Sequence, residues 1–111
     1  MPRTAKAATL AQEQRLPPEV SAFIAARPVI AAEFPRIQDM IAAAFDHPEV
    51  AYQVMHHDEQ DPEPTLSITI NFREAREDAR RTRRALLGGP WLDLSAFTLA
   101  RVALHLGQPL E

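Results

Sequence analysis

Four arginines with helical spacing are the side chains of this sequence best suited to a binding task. Arg76, Arg80, Arg83 and Arg84 follow one another at steps of four, three and one, which places them on one face of an α-helix. We call them the arginine face and expect all four side chains to be exposed. Guanidinium groups bind carboxylates and phosphates, and like charges at this spacing repel each other. An anionic partner would therefore suit the arginine face.

Three interpretations of the arginine face are open. The first is docking on an acidic protein surface, which includes the acidic loop of a second copy. The second is contact with a nucleic-acid backbone, although a net charge of -3 and the lack of aromatic residues among the arginines are not typical of such domains. The third is a solvated face that Glu74, Glu77 and Asp78 partly neutralise, with Glu77 and Arg81 spaced for an ion pair.

A short acidic segment precedes the arginine face. Residues 49–67 contain no lysine or arginine, and the loop within them carries four carboxylates: Asp58, Glu59, Asp61 and Glu63. This acidic loop complements the arginine face in charge. It does not match an EF-hand calcium loop, because it has no glycine for the sharp turn.

His56 and Asp58 are the candidate metal ligands, since imidazole and carboxylate groups bind metals where thiolates are absent. In an extended chain they project to one side, and His57 projects to the other. A third ligand would have to come from a folded loop or a second chain. We therefore assign no metal and no cofactor, and a metal-dependent enzyme is the least favoured interpretation.

Other catalytic patterns are missing from the sequence. The chain has no cysteine, which excludes thiol nucleophiles and disulfide scaffolds. Its three serines do not stand in the strand-turn-helix setting of a serine nucleophile, and its three glycines do not form a phosphate-binding loop. The sequence predicts no catalytic residue.

The length of 111 residues and the 46% apolar composition indicate one domain. Residues 1–15 lack an apolar stripe and are expected to be a flexible N-terminal arm, and residues 16–111 are expected to be a single α+β domain. No apolar run approaches the ~18 residues of a membrane span, and the N-terminus lacks the apolar region of a secretory signal. These features favour a cytoplasmic protein without a membrane partner.

Hydrophobic periodicity predicts the elements of the domain. A helical period before residue 47 predicts two or three helices, with a kink or a fresh start at Pro35. Strict alternation then predicts an antiparallel hairpin covered on one side, and the arginine helix is expected to end in a left-handed glycine cap. The predicted ranges are about 50–56 and 65–72 for the hairpin, about 74–87 for the helix and about 101–106 for a closing strand.

The stretch before the closing strand, from Trp91 to Leu99, is expected to be irregular, with the Trp91 and Phe97 side chains packed in the core. A helix capped by Ser95 is the alternative. The whole is a two-layer α+β domain in the order α-α-β-β-α-β, and we see no internal repeat. The predicted common core consists of Phe34, Ile37, Ile41, Leu66, Ile68, Ile70 and Trp91.

A D-E-x-D-P stretch at residues 58–62 leads into an L-x-I-x-I strand at residues 66–70, and Trp91 follows the arginine helix. With these features, the chain from Leu16 to Leu106 resembles a group of short uncharacterised bacterial α+β proteins. The resemblance implies a fold and assigns no functional residue. The residues themselves predict a small non-enzymatic protein-protein interaction domain, a homodimer or the small partner of a two-component module, with a nucleic-acid-associated factor as the alternative.

Overall fold

A computed structural model describes residues 16–56 and 63–110 of the chain. These residues form an α+β fold of four α-helices and a three-stranded sheet, in the predicted order α-α-β-β-α-β with one further helix before the last strand. The predicted N-terminal arm and most of the acidic loop lie outside the described residues. The elements are α1 (Pro18–Ala25), α2 (Pro28–Ala44), β1 (Glu49–Met55), β2 (Thr65–Phe72), α3 (Arg76–Leu87), a 3-10 turn (Pro90–Asp93), α4 (Ala96–Arg101) and β3 (Val102–Pro109).

Prolines mark the beginnings of the two N-terminal helices. Pro18 and Pro28 occupy the first helical positions, where a backbone N–H has no helical partner. Helix α2 runs through Pro35 as one element, so no new helix begins there. The apolar face on both sides of Pro35 packs into the core and maintains the helix across one missing backbone bond. No helix in the described part of the chain is long and apolar enough to cross a membrane.

Strand β2 is the centre of the sheet, antiparallel to β1 and parallel to β3. Its register places Ile68 between Tyr52 of β1 and Leu104 of β3. The four apolar side chains of β2 are buried beneath the helices, and its four polar side chains are half-buried on the other face. The alternation therefore predicted the buried face of β2 correctly.

The hairpin is antiparallel as predicted, and β3, for which the sequence predicts no direction, is parallel to β2. Because α3, the 3-10 turn and α4 lie between β2 and β3, the chain returns to the same end of the sheet before β3 begins. Near its end, β3 approaches β2 closely at Gly107. A Cβ atom there would overlap Asn71 Oδ1 and lie 2.7 Å from Thr69 Cγ2. Asn71 Oδ1 accepts a 2.8 Å hydrogen bond from the Gln108 N–H in the same region.

The segment before β3 is more regular than expected, because it contains α4. Ser95 is the N-cap of α4, and its Oγ accepts a 3.2 Å hydrogen bond from the Thr98 N–H. The carboxylate of Glu33, from α2, accepts further bonds from the Ser95 N–H at 2.9 Å and the Ser95 Oγ at 2.8 Å. Trp91 is buried as predicted, but Phe97 is 37% exposed, so its predicted packing is wrong.

Helix α3 ends at Leu87 as predicted, although its cap is not left-handed. Gly88 has a φ of -91°, and its N–H donates to the Arg84 carbonyl at 3.0 Å. This continues helical hydrogen bonding for one residue without the positive φ that the glycine pair suggested. In the described part of the chain, positive φ occurs at His47, with a value of 42°, in the turn after α2.

The core lies between the apolar face of the sheet and the helices. All seven predicted core residues are buried in one cluster. Ile37, Leu66, Ile68 and Ile70 are fully inaccessible, and Trp91 closes the cluster from the 3-10 turn. The predicted core is therefore confirmed.

Candidate functional site

Helix α3 presents the arginine face because only a narrow stripe of the helix is buried. Ala79 and Leu86 are its buried residues. Arg76, Arg80 and Arg84 are exposed. An amphipathic helix whose apolar stripe is this narrow leaves most of its circumference to polar groups.

A groove of about 650 Å³ lies between the C-terminal half of α3 and strand β3. Arg80, Arg83 and Arg84 line it from α3, and His105 lines it from β3. Leu87, Gly88 and Leu106 complete the lining. Three guanidinium groups and an imidazole on one groove are suited to binding carboxylate or phosphate oxygens.

Arg76 stands apart from the groove, at the beginning of α3. Its guanidinium carbon lies 5.4 Å from the centroid of the Phe72 ring, a cation-π contact. The structure therefore gathers three members of the arginine face around the groove and places the fourth one helical turn away.

Arg83 differs from the other members of the arginine face. Its Nε–H donates a 3.0 Å hydrogen bond to the Leu104 carbonyl oxygen on β3, and its side chain is half-buried. The expectation that all four arginines are exposed is wrong at this position. An arginine can pack its aliphatic stem while its charged end bonds a carbonyl, so Arg83 also attaches α3 to the sheet.

In the described part of the chain, the nearby acids form no direct ion pair with the arginine face. Glu74 accepts hydrogen bonds from the backbone N–H groups of Asp46 and Arg73, at 2.9 and 3.1 Å. Asp78 pairs with Arg81 at 3.3 Å, so Arg81 is not the partner of Glu77 that the spacing suggested. Within residues 16–56 and 63–110, no carboxylate lies within ion-pairing distance of an arginine-face side chain.

The candidate metal ligands are only partly within the described residues. His56 is exposed, and its Nε2 lies 3.5 Å from Glu19 Oε2; Asp58 lies outside the described residues. No group of three or more histidine, cysteine, aspartate or glutamate side chains in the described chain could hold a metal ion. Like Asp58, the acidic-loop residues Glu59 and Asp61 lie outside the described residues.

Glu63, the described residue of the acidic loop, does not contact the arginine face. Its Oε1 lies 3.4 Å from Arg27 Nη2 and 3.5 Å from Arg101 Nε. Neither arginine belongs to the predicted site residues, although the sequence contains a signal for both. Residues 21–27 and 95–101 both read Ser-Ala-Phe-x-x-Ala-Arg, so the sequence does contain a short internal repeat.

A second cleft, of about 810 Å³, lies between the C-terminal end of α2 and β1. Apolar side chains such as Ile41 and Phe45 line it together with Tyr52 and Arg73. Burial raises the pKa of Tyr52, and a side-chain hydrogen bond with Gln38 offsets part of this effect. Arg73 Nε donates to the His47 carbonyl at 3.0 Å, so the cationic group of this cleft already has a structural partner.

No protein-family model matches this chain, and no curated protein or solved structure is significantly similar to it.

Proposed function

We propose that this protein is a non-enzymatic cytoplasmic binding domain that docks the groove between α3 and β3 on an acidic surface of a protein partner, a second copy included. The observation that supports the proposal is the groove itself. Arg80 and Arg84 border it beside His105, and no carboxylate of the described chain lies within ion-pairing distance of these arginines. Carboxylates of a partner would relieve the repulsion between the arginines and orient the encounter.

The lining of the groove favours a protein over a nucleic-acid backbone. Leu87 and Leu106 are half-buried beside the arginines and offer apolar contact area. Apolar contacts ringed by charged groups are typical of protein interfaces, whereas a phosphate backbone offers little apolar surface. The net charge of -3 would also oppose approach to a nucleic acid.

Charge reversal in the groove tests this proposal. We would compare the wild type with Arg80→Glu/Arg84→Glu and with the control Arg36→Glu/Arg81→Glu. The control makes the same change in net charge at exposed arginines that pair with Asp93 and Asp78. Self-association is measured by sedimentation equilibrium, and binding of a fluorescent Glu-rich peptide is measured by anisotropy. We expect the groove variant to lose both interactions and the control to retain them.

Titration with a short DNA duplex distinguishes nucleic-acid binding, the alternative function, from docking on a protein. If the wild type binds the duplex with a salt slope of about -0.9 per phosphate contact and the groove variant does not, the arginine face serves a nucleic acid. If the groove variant and the control lose protein binding equally, net charge alone accounts for the loss. If neither self-association nor peptide binding occurs in the wild type, the groove does not dock on acidic protein surfaces. Each of these results overturns the proposal.

A further inference from the structure

We propose that Arg27 and Arg101 form a binding site for a phosphate monoester group, which the carboxylate of Glu63 occupies in this structure. The site is separate from the groove of the arginine face, and the proposal does not depend on the function proposed for that groove. It is assembled from the ends of two helical segments with the same Ser-Ala-Phe-x-x-Ala-Arg sequence.

The two arginines converge on a single oxygen atom. Arg27 follows α1, and Arg101 is the last residue of α4. Arg27 Nη2 and Arg101 Nε lie 3.4 and 3.5 Å from Glu63 Oε1, so the two nitrogens are within about 7 Å of each other. Two positive charges at this separation repel each other unless an anion lies between them.

Each guanidinium is held in place by the phenylalanine four residues before it. The guanidinium carbon of Arg27 lies 4.0 Å from the Phe23 ring centroid, and that of Arg101 lies 4.1 Å from the Phe97 ring centroid. Arg27 Nη1 also donates a 3.1 Å hydrogen bond to the Phe23 carbonyl oxygen. The cation-π contacts orient both side chains in advance, and the hydrogen bond does so for Arg27 as well, which reduces the entropy lost when an anion binds.

Glu63 is a weak occupant of this site. Its contacts are longer than the 2.7 to about 2.9 Å typical of charge-assisted hydrogen bonds, and its side chain is 53% exposed. Arg27 Nε is buried and has no hydrogen-bond partner in the described chain. Glu63 therefore leaves one donor of Arg27 unsatisfied, and its exposed carboxylate can move away to solvent when another anion takes its place between the arginines.

Charge favours a phosphate over a second carboxylate. Two guanidinium groups carry two positive charges, and Glu63 neutralises one of them. A phosphate monoester carries about -1.5 to -2 charges near neutral pH and presents three acceptor oxygens. It would match both arginines at once. Phe97 is exposed beside Arg101, so an ester with an aromatic group would gain a further contact.

The test follows the Nε–Hε signals of Arg27 and Arg101 by NMR while inorganic phosphate or phenyl phosphate is added at constant ionic strength. We expect saturable shifts at both arginines. Glu63→Gln removes the internal competitor and should bind phenyl phosphate about tenfold more tightly, and Arg101→Gln should bind it at least about tenfold more weakly. Arg36→Gln, which removes an exposed arginine paired with Asp93, serves as the matched control and should bind like the wild type.

The two probes distinguish the source of the phosphate. Equal affinity shows that the site recognises the phosphate group without contacting its ester, and tighter binding of phenyl phosphate indicates an aromatic ester; both results support the site. Arg101→Lys keeps the charge and loses the planar donor pair, so weaker binding by this variant also supports it. The proposal is overturned if the Arg27 and Arg101 signals do not saturate in either the wild type or Glu63→Gln, or if Glu63→Gln binds no more tightly than the wild type.

Discussion

The Nε–H of Arg83 donates to the carbonyl oxygen of Leu104 and thereby connects α3 to β3, an edge strand of the sheet. Arg80 and Arg84, on the same helix face, have no such bond in the described chain and remain available to a partner. The arginine face therefore combines one structural arginine with neighbours that are free to bind. This division can be tested by measuring stability separately from binding.

We expect Arg83→Ala to lower the free energy of unfolding by about 1 to 2 kcal/mol, because it removes a charge-assisted hydrogen bond and the packing of the aliphatic stem. Arg84→Ala, one residue along, should change it by less than about 0.5 kcal/mol. Urea unfolding followed by circular dichroism measures both values. Equal effects of the two substitutions would show that the bond to Leu104 contributes no net stability.

Glu33→Gln should lower the free energy of unfolding near neutral pH. The difference in this free energy between the variant and the wild type should become smaller in acid. Burial raises the pKa of Glu33. Hydrogen bonds from Thr98 and Ser95 and the charge of Arg36 lower it by more than burial raises it, so the pKa lies below the ordinary value of 4.5. A carboxyl group with a lowered folded-state pKa stabilises the fold above its unfolded-state pKa. That contribution is lost as the pH falls through the folded-state pKa. Urea unfolding at pH values from neutral to below 4.5 measures the difference, and parallel pH profiles for the two proteins would contradict this prediction.

Ile68→Ala should lower the free energy of unfolding by about 2 to 4 kcal/mol, since it leaves a cavity at the centre of the sheet. Ile68 is fully inaccessible between Tyr52 and Leu104. Ser67→Ala, on the opposite face of β2, is the control and should have an effect below about 0.5 kcal/mol. Thermal and urea unfolding give both values; a larger effect of Ser67→Ala would mean that the buried face of β2 is assigned backwards.

Gly107→Ala should destabilise the protein by about 1 to 3 kcal/mol through overpacking, because the new Cβ would overlap Asn71 Oδ1. Removing the obstructing side chain should recover part of this loss, so the double variant Asn71→Ala/Gly107→Ala should be more stable than the sum of the single effects predicts. A double-mutant cycle measured by urea unfolding provides this comparison. Strict additivity would show that the close approach to Asn71 is not the cause.

Local patterns in the sequence were enough to predict β2 and the core. The alternation around Ile68 and the helical spacing of Phe34, Ile37 and Ile41 are set by residues a few positions apart, which is the range over which secondary structure determines side-chain direction. The same spacing placed the arginine face on one side of α3.

Features that depend on distant residues were not predicted. The sequence indicates the Ser95 cap as an alternative, but the Glu33 carboxylate that supports the cap comes from α2, and no local pattern reveals that contact. The bond from Arg83 to β3 and the meeting of Arg27 and Arg101 at Glu63 likewise require the tertiary fold. The repeated heptapeptide marks both arginines in the sequence, but it does not indicate that they meet at Glu63.

Strand β2 pairs with one strand that is near in sequence and one that is distant, and this difference predicts an order of folding events. Leu66 meets Val54 across one loop, whereas it meets Val102 only after two helices have been traversed. Closing the longer loop costs more entropy, and the contacts that offset this cost form only once β3 has docked. We therefore expect the hairpin to be present in the folding transition state and β3 to dock after it. Under native conditions the boundary between β2 and β3 should consequently be the first part of the sheet to open to hydrogen exchange.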